Sequence, residues 1–282
     1  MIARPGGRLP VRAITGHSCG VLSALSPARR RLVLVVAAAM LVAAIVGTVV
    51  VVRQVVGPSV DPVAQDQPGP VLVVPGYGGS TDSVEQLIAA LEQDGRDATV
   101  VELAGDGTGD LRTQAQVLAD AAGAAVARTG AESVDVVGYS AGGVIARLWV
   151  RDFGGASVAR RVVTLGSPHH GTDVAGIAGD ITPDSCPTGC QQLSPNSELI
   201  RRLNAGDETP VGPEFVSVWT LFDEVVTPPE TSRLDGALNL TVQSVCSGSQ
   251  VRHGGLPEEP AVAAILGSTL GVDAPSVPTD CP

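Results

Sequence analysis

Val134-Asp135-Val136-Val137-Gly138-Tyr139-Ser140-Ala141-Gly142-Gly143-Val144-Ile145 reads as a β-rich run, a glycine-flanked serine and the start of a helix. Gly138 to Gly142 fits G-x-S-x-G, a pattern that carries meaning when a strand precedes it and a helix follows. Both conditions hold. The run 134–137 is largely apolar and β-branched, and Val144, Ile145, Leu148 and Trp149 mark one helical face that Gly154 and Gly155 end. A side chain on so tight a turn sits in strained backbone where flanking Cβ atoms would clash, which accounts for glycine at 138 and 142. Gly143 adds a small residue where the helix must pass close to the sheet. Ser140 is therefore the candidate nucleophile.

The same alternation extends in both directions. Val71-Leu72-Val73-Val74 is a continuous apolar run, as a strand buried on both faces requires. Asp82, with Glu85 three residues on, is expected to cap a helix whose Val84, Leu87, Ile88 and Leu91 share a face. Residues 99–103 read as a second strand. Asp110 opens a second helix, with Leu111, Ala115, Leu118 and Ala122 on one stripe. Residues 162–165, 215–221 and 240–245 supply three more strands, and Pro260 opens a closing helix carrying Val262, Ala263, Ile265 and Leu266. Strand–helix alternation implies right-handed crossovers and an α/β fold: six mostly parallel strands with helices on both faces.

A serine hydroxyl needs a base. Of the four histidines, His17 lies in the leader, His169 and His170 follow the fourth strand, and His253 follows the last. Chemistry on such a sheet gathers at the carboxyl ends of the strands, in the chain order serine, acid, histidine. His253 satisfies that order. Asp223 follows the run 215–221 and is the expected acid. Its neighbour Glu224 is the main rival, since adjacent residues at a strand end point in opposite directions. Asp235, in a Leu-Asp-Gly turn, is a more distant one. The oxyanion needs two backbone donors: the N–H of Ala141, after the nucleophile, and one from the loop Pro75-Gly76-Tyr77-Gly78-Gly79, for which Tyr77 is the choice. That loop is too short and lacks the lysine of a P-loop.

Charge divides the chain. Seven of the 18 basic residues, all arginine, lie in residues 1–53 with no acid, which leaves 11 arginines against 29 acids in the remainder. The net charge of −11 argues against a nucleic-acid partner. The step falls at an uncharged run, residues 32–52, that follows Arg29-Arg30-Arg31. As a helix it spans about 30 Å, the hydrocarbon thickness of a bilayer. The positive-inside rule puts residues 1–31 in the cytoplasm as a basic tail and everything after residue 53 outside. The run is longer than a signal-peptide core and no clear cleavage pattern follows, so a retained anchor is favoured over a cleaved signal with secretion. Residues 53–70, with Pro58, Pro62 and Pro68, read as a linker, and 71–282 as the catalytic domain.

Cysteine usage agrees with export. Cys19 lies in the tail and four cysteines lie outside, where three pairings are open. Close spacing favours Cys186–Cys190, which leaves Cys246–Cys281 to tether the C-terminal tail. One Cys-x3-Cys without a second close pair makes a poor zinc site, and no metal is expected.

Taken in order, Val-Pro-Gly-Tyr-Gly-Gly (74–79), Gly-Tyr-Ser-Ala-Gly-Gly (138–143), Thr-Leu-Gly-Ser-Pro-His-His-Gly-Thr (164–172) and Phe-Asp-Glu-Val-Val-Thr-Pro (222–228) resemble the small secreted bacterial lipases of the α/β-hydrolase superfamily. The resemblance covers roughly residues 70–270 and is greatest to the actinobacterial class 2 lipases and esterases. It implies Ser140, Asp223 and His253 as a catalytic triad, and Tyr77 and Ala141 as oxyanion donors. The chain departs from that family in having Pro75-Gly76 where His-Gly is usual, and Gln250-Val251-Arg252-His253-Gly254 around the base. The expected protein is a monomeric serine esterase or lipase without cofactor, acting on a lipid or small ester. The insertion at 167–213 shows no large apolar helix that would make a broad lid. An envelope acyltransferase or thioesterase, or a binding module that keeps only the fold, are the other readings.

Overall fold

The apolar run after the three arginines forms part of one helix, α1 (Pro27–Val55). Its segment Pro27–Thr48 has a mean hydropathy of 2.3 and none of it is buried. By length and composition it is able to cross a membrane, and a signal sequence meets the same test. The computed structural model describes residues 26–55, 60–173 and 186–282. Most of the basic tail with His17 and Cys19, linker residues 56–59 and insertion residues 174–185 lie outside the described residues. The chain divides into two compact units, residues 1–59 and residues 60–282.

In the second unit six strands form one sheet: β1 (Val71–Val74), β2 (Ala98–Val100), β3 (Val134–Tyr139), β4 (Ala159–Leu165), β5 (Glu214–Trp219) and β6 (Leu238–Thr241). The order is β2-β1-β3-β4-β5-β6 and every pairing is parallel. The register aligns Val100, Val73, Val137, Val163, Val216 and Leu238 in one row across the whole sheet. Branched side chains pack tightly on such a pleated surface, which is why the buried strands are valine-rich.

Helices cover both faces. α3 (Leu111–Thr129) and α4 (Ala141–Asp152) share a core with Leu72, Val74, Val136 and Val162. α2 (Glu85–Gln93) and α8 (Pro260–Thr269) share the other core with Val73, Val137, Val163 and Val216. Asp110 caps α3 by accepting from the Arg112 N–H, and Gly130 ends it at φ 71°. Three short helices complete the chain: α5 (Thr188–Gln192) and α6 (Glu198–Leu203) in the insertion, and α7 (Val242–Val245) after β6.

The strand read at 215–221 is Glu214–Trp219 and the one read from 240 starts at Leu238, and four further differences from the sequence reading have a visible cause. Asp82 does not cap α2; it opens a 3-10 turn, Asp82–Val84, and the backbone at Val84 (φ −123°) separates that turn from the helix while its side chain enters the core. The second strand ends at Val100, because Gly105 and Gly107 take positive φ and turn the chain away. Residues 242–245 are helical, since the Thr241 hydroxyl accepts from the Ser244 N–H and caps a turn there. β4 begins at Ala159, so Arg160 and Arg161 are strand residues, fully buried.

Those two arginines define the pole of the sheet where the strands begin. Asp135 accepts from Arg160 Nε at 2.9 Å and Nη2 at 2.6 Å, and from Arg96 Nη2 at 2.5 Å. Arg96 and Arg160 also donate to the carbonyls of Gly69, Gln65, Leu270 and Gly271, and Arg161 donates to those of Thr269, Gly271 and Asp273. Buried charge is tolerated here because carboxylate and carbonyl oxygens replace water. Cys186 pairs with Cys190 and Cys246 with Cys281, the two disulfides expected from the sequence.

Removing one member of a buried charge set strands the others, at a cost of about 3–5 kcal/mol. Asp135→Ala should lose about that much in a urea titration while the residual folded protein keeps the geometry at the far pole. Reduction should lower the melting temperature, chiefly through Cys246–Cys281. Its 35-residue separation corresponds to about 4 kcal/mol in the chain-entropy picture. A Cys246→Ser, Cys281→Ser protein that melts like the wild type under oxidising conditions would refute this.

Candidate active site

In the order β2-β1-β3 the chain reverses direction of growth between β1 and β3, which opens a crevice beyond their carboxyl ends. Val74 and Gly138 are partners in register, so Pro75-Gly76-Tyr77 and Ser140 leave the sheet side by side at that crevice. Ser140 has φ 53° and ψ −123°, the one positive φ of a non-glycine among the described residues. Such backbone costs about 1–3 kcal/mol and persists only where its surroundings enforce it. Here the Ser140 N–H donates to the Leu165 carbonyl at 2.8 Å, and its own carbonyl accepts from the Gly143 N–H. A Cβ on Gly138 would stand 2.6 Å from Gly143 Cα, and one on Gly142 would overlap the Val74 carbonyl oxygen. The strand-to-helix turn closes only with glycine at both places.

The structure brings the three expected residues together. His253 Nε2 lies 3.0 Å from Ser140 Oγ, and His253 Nδ1 lies 2.8 Å from Asp223 Oδ2. Asp223 Oδ1 accepts from the N–H groups of Val225 (2.9 Å) and Val226 (2.7 Å), so each carboxylate oxygen has its own partners. The Asp223 side chain is wholly buried and that of His253 nearly so. Gly166, at φ 54°, lets both approach: a Cβ there would be 3.2 Å from the imidazole Nδ1 and 3.3 Å from Asp223 Oδ2.

The rivals point elsewhere. Glu224 faces away from the ring, pairs with Arg252 at 3.2 Å, and accepts from the backbone N–H of His253 at 3.4 Å. Slight burial works to raise its pKa, but the Arg252 contact and backbone donors outweigh that and hold it below the usual carboxylate range. Asp235 sits in an exposed turn, its N–H donating to Glu208. His170 lies between Glu208 and the Thr231 carbonyl. His169 is fully buried, 3.0 Å from Thr164 Oγ1. The Thr164 hydroxyl donates to Ser217 Oγ, which donates to the Ser232 carbonyl. Thr164 therefore accepts from the His169 Nε2–H, and Nδ1 is left as an unpartnered lone pair. Desolvation first, then the positive charges of Arg147 and His170, push its pKa well below the ordinary value.

The two expected oxyanion donors frame the serine. Ala141 opens α4, so its N–H has no intrahelical acceptor. Tyr77 follows Gly76, whose Cβ position would be 3.2 Å from Ser140 Cβ. The loop is braced from behind in a way the sequence reading missed. Gly107 packs against Gly78 and Gly79 and accepts from the Gly78 N–H. The buried Gln114 holds the base of that brace, exchanging hydrogen bonds with both the N–H and the carbonyl of Ala104 at 2.7 and 3.1 Å. A polar residue on the apolar stripe of a predicted helix was the available signal. Leu221, Phe222 and Val225, which flank Asp223, are exposed, as is Tyr77.

Residues 69–184 match a family model described as the alpha/beta hydrolase fold. Aspergillus fumigatus lipase B is 19% identical with a TM-score of 0.63, the alignment covering 74% of this chain and 53% of that one. Bacillus licheniformis lipase BlEst2 in its propeptide form is 18% identical with a TM-score of 0.61, covering 78% and 54%. In its mature form the same lipase is 19% identical with a TM-score of 0.51, covering 64% and 84%. The chain spans about half the length of the first two. No curated protein matches it. By sheet order, strand-to-helix turn and family match, the chain has the alpha/beta hydrolase fold.

The buried His169 sets an acid limit. Below about pH 6.5 the unfolded chain binds a proton at this site that the folded chain refuses, so stability falls as pH drops and levels off above it. The loss approaches about 1.4 kcal/mol per pH unit. His169→Gln should flatten the urea-midpoint profile between pH 6.5 and 5 relative to wild type. Parallel profiles would show that His169 is protonated in the fold.

Proposed function

We propose that this protein is a serine hydrolase of carboxylic esters, an esterase or lipase that works through an acyl-enzyme. The observation that carries this reading is the relay from Ser140 through His253 to Asp223 at the sheet's switch point. Ser140 Oγ attacks the ester carbonyl carbon as His253 Nε2 takes its proton. Asp223 holds the imidazole by Nδ1 and stabilises the imidazolium. The carbonyl oxygen, now negative, accepts from the N–H groups of Tyr77 and Ala141. The tetrahedral centre collapses, His253 returns the proton to the leaving alcohol, and the acyl group remains on Ser140. Water, deprotonated by His253, then attacks the acyl carbon; the bond to Ser140 Oγ breaks, His253 returns the proton to that oxygen, and the acid is released.

The exposed Leu221, Phe222 and Val225 beside Asp223 support a substrate with an apolar acyl or alcohol part. The apolar α1 and the disulfides support a catalytic unit working outside the cytoplasm, held to the membrane by a retained anchor. The catalytic unit acts as a monomer in this reading and needs no cofactor.

Hydrolysis of p-nitrophenyl butyrate by the purified chain tests the reading. In other triad enzymes loss of the serine costs on the order of a million-fold and loss of the acid about ten thousand-fold. Ser140→Ala should abolish turnover and covalent labelling by a fluorophosphonate. Asp223→Asn should cut kcat by orders of magnitude, while Glu224→Gln should change it less than about threefold, as surface charges do. A wild-type chain that neither labels nor turns over any ester would leave a fold without the chemistry and overturn the proposal.

A further inference from the structure

Tyr139 occupies the free position of Gly138-Tyr139-Ser140, where the motif itself makes no demand on residue type. Three contacts converge on it. Its hydroxyl donates to the main-chain carbonyl of His253 at 3.2 Å, a buried bond between segments 114 residues apart. Its ring lies 5.3 Å from the imidazole, centroid to centroid, at an interplanar angle of 32°. The same ring borders the oxyanion corner: a Cβ on Gly76 would be 3.5 Å from both Cδ1 and Cε1. One buried side chain therefore touches the base and the oxyanion loop, and directly precedes the nucleophile.

The need for such a contact follows from the geometry of the relay. Hydrogen bonds at Nδ1 and Nε2 and the covalent bond at Cγ hold the imidazole, so the ring tilts about the Nδ1–Nε2 line only as the backbone of His253 shifts with it. The tilted Tyr139 ring beside the imidazole restricts that motion, and the bond to the main-chain carbonyl holds the backbone of His253 against it. Burial first, then the negative charges of Asp223 and Glu224, push the phenol up to about 12, so the hydroxyl stays protonated and donating over the whole neutral range.

We propose that Tyr139 is a positioning residue for His253, its ring setting the tilt of the imidazole and its hydroxyl the height of the loop that carries it. The inference rests on the ester-hydrolase reading. A near-attack geometry is sensitive to small displacements, so the loss appears in kcat and hardly in KM.

The test uses the full chain in detergent with p-nitrophenyl butyrate. Tyr139→Phe keeps the ring and removes the hydroxyl; Tyr139→Leu removes both. We expect kcat to fall about tenfold in the first and about a hundredfold in the second, with KM within about twofold. The downfield proton resonance of His253 Nδ1–H, bonded to Asp223, should broaden in both. Wild-type kcat in Tyr139→Phe, or a loss that merely follows the unfolded fraction while that resonance stays sharp, would overturn the proposal. If Tyr139→Leu does not fold, Tyr139→Phe decides alone. Ser140→Ala in the same series separates the two levels: residual turnover there defeats the hydrolase reading, whereas an inactive Ser140→Ala beside a fully active Tyr139→Phe defeats only the role given to Tyr139.

Discussion

The turn at Ser140 is the constraint on which the rest of the site depends. A serine at φ 53° exists here because β3 and α4 approach so closely that no side chain fits at Gly138 or Gly142. That approach aims α4 along the sheet with its first N–H groups at the crevice. It also places Ser140 beside the end of β1 and beneath the loop that carries His253. Backbone strain of this kind needs a rigid frame. The frame is a parallel sheet buried on both faces, in which a single row of aligned residues crosses all six strands.

The two poles of that sheet are built on opposite principles. At the strand starts, Arg96, Arg160 and Arg161 are saturated by Asp135 and by carbonyls of the entering and leaving chain. Among the described residues, the buried polar atoms there without a hydrogen-bond partner are Gln65 Oε1 and the ion-paired Arg161 Nε and Glu214 Oε2, which lie 3.3 Å apart. At the strand ends, Tyr77, Ser140 and Ala141 border the crevice, and in the proposed reaction the N–H groups of Tyr77 and Ala141 are the donors. Saturation at one pole locks the ends of the chain, and unspent hydrogen-bonding capacity at the other is what a reaction requires.

What was legible in the sequence follows from where only one residue type will do. Glycines at 138 and 142, the apolar run at 71–74 and the Asp110 cap each reflect a steric or hydrogen-bonding demand with few alternative solutions. The convergence of Ser140, Asp223 and His253 was legible through chain order, because right-handed crossovers leave few ways for later strands to deliver side chains to the serine. Pattern favours Asp223 over its neighbour Glu224 but keeps the rival open, since the two differ in which way the turn after β5 points them. Residues 242–245 misled because a short Val-Gln-Ser-Val run suits a strand or a helical turn equally, and one threonine hydroxyl decided it. Arg160 and Arg161 misled for the opposite reason. Charge normally ends a buried strand, and their partners come from residues 25 to more than 100 positions away.

The same logic explains why Gln114 and Tyr139 escaped notice while mattering to the site's shape. Each is a polar group at a buried position, and each spends that polarity on a backbone atom of another segment: Gln114 on Ala104, Tyr139 on His253. Backbone acceptors carry no signature in the sequence, so the partner cannot be read even when the donor can. Loops held in this way move less than their composition suggests. Residues 104–107 contain two glycines at positive φ, yet they are tied by Gln114 and packed against Gly79. An oxyanion donor must stand ready before the substrate arrives, because a donor that reorganises during the reaction gives back what it contributes. In the proposed reaction Gln114 and Tyr139 would supply that rigidity from two sides, one bracing the loop that contains Tyr77 and the other the segment that carries His253.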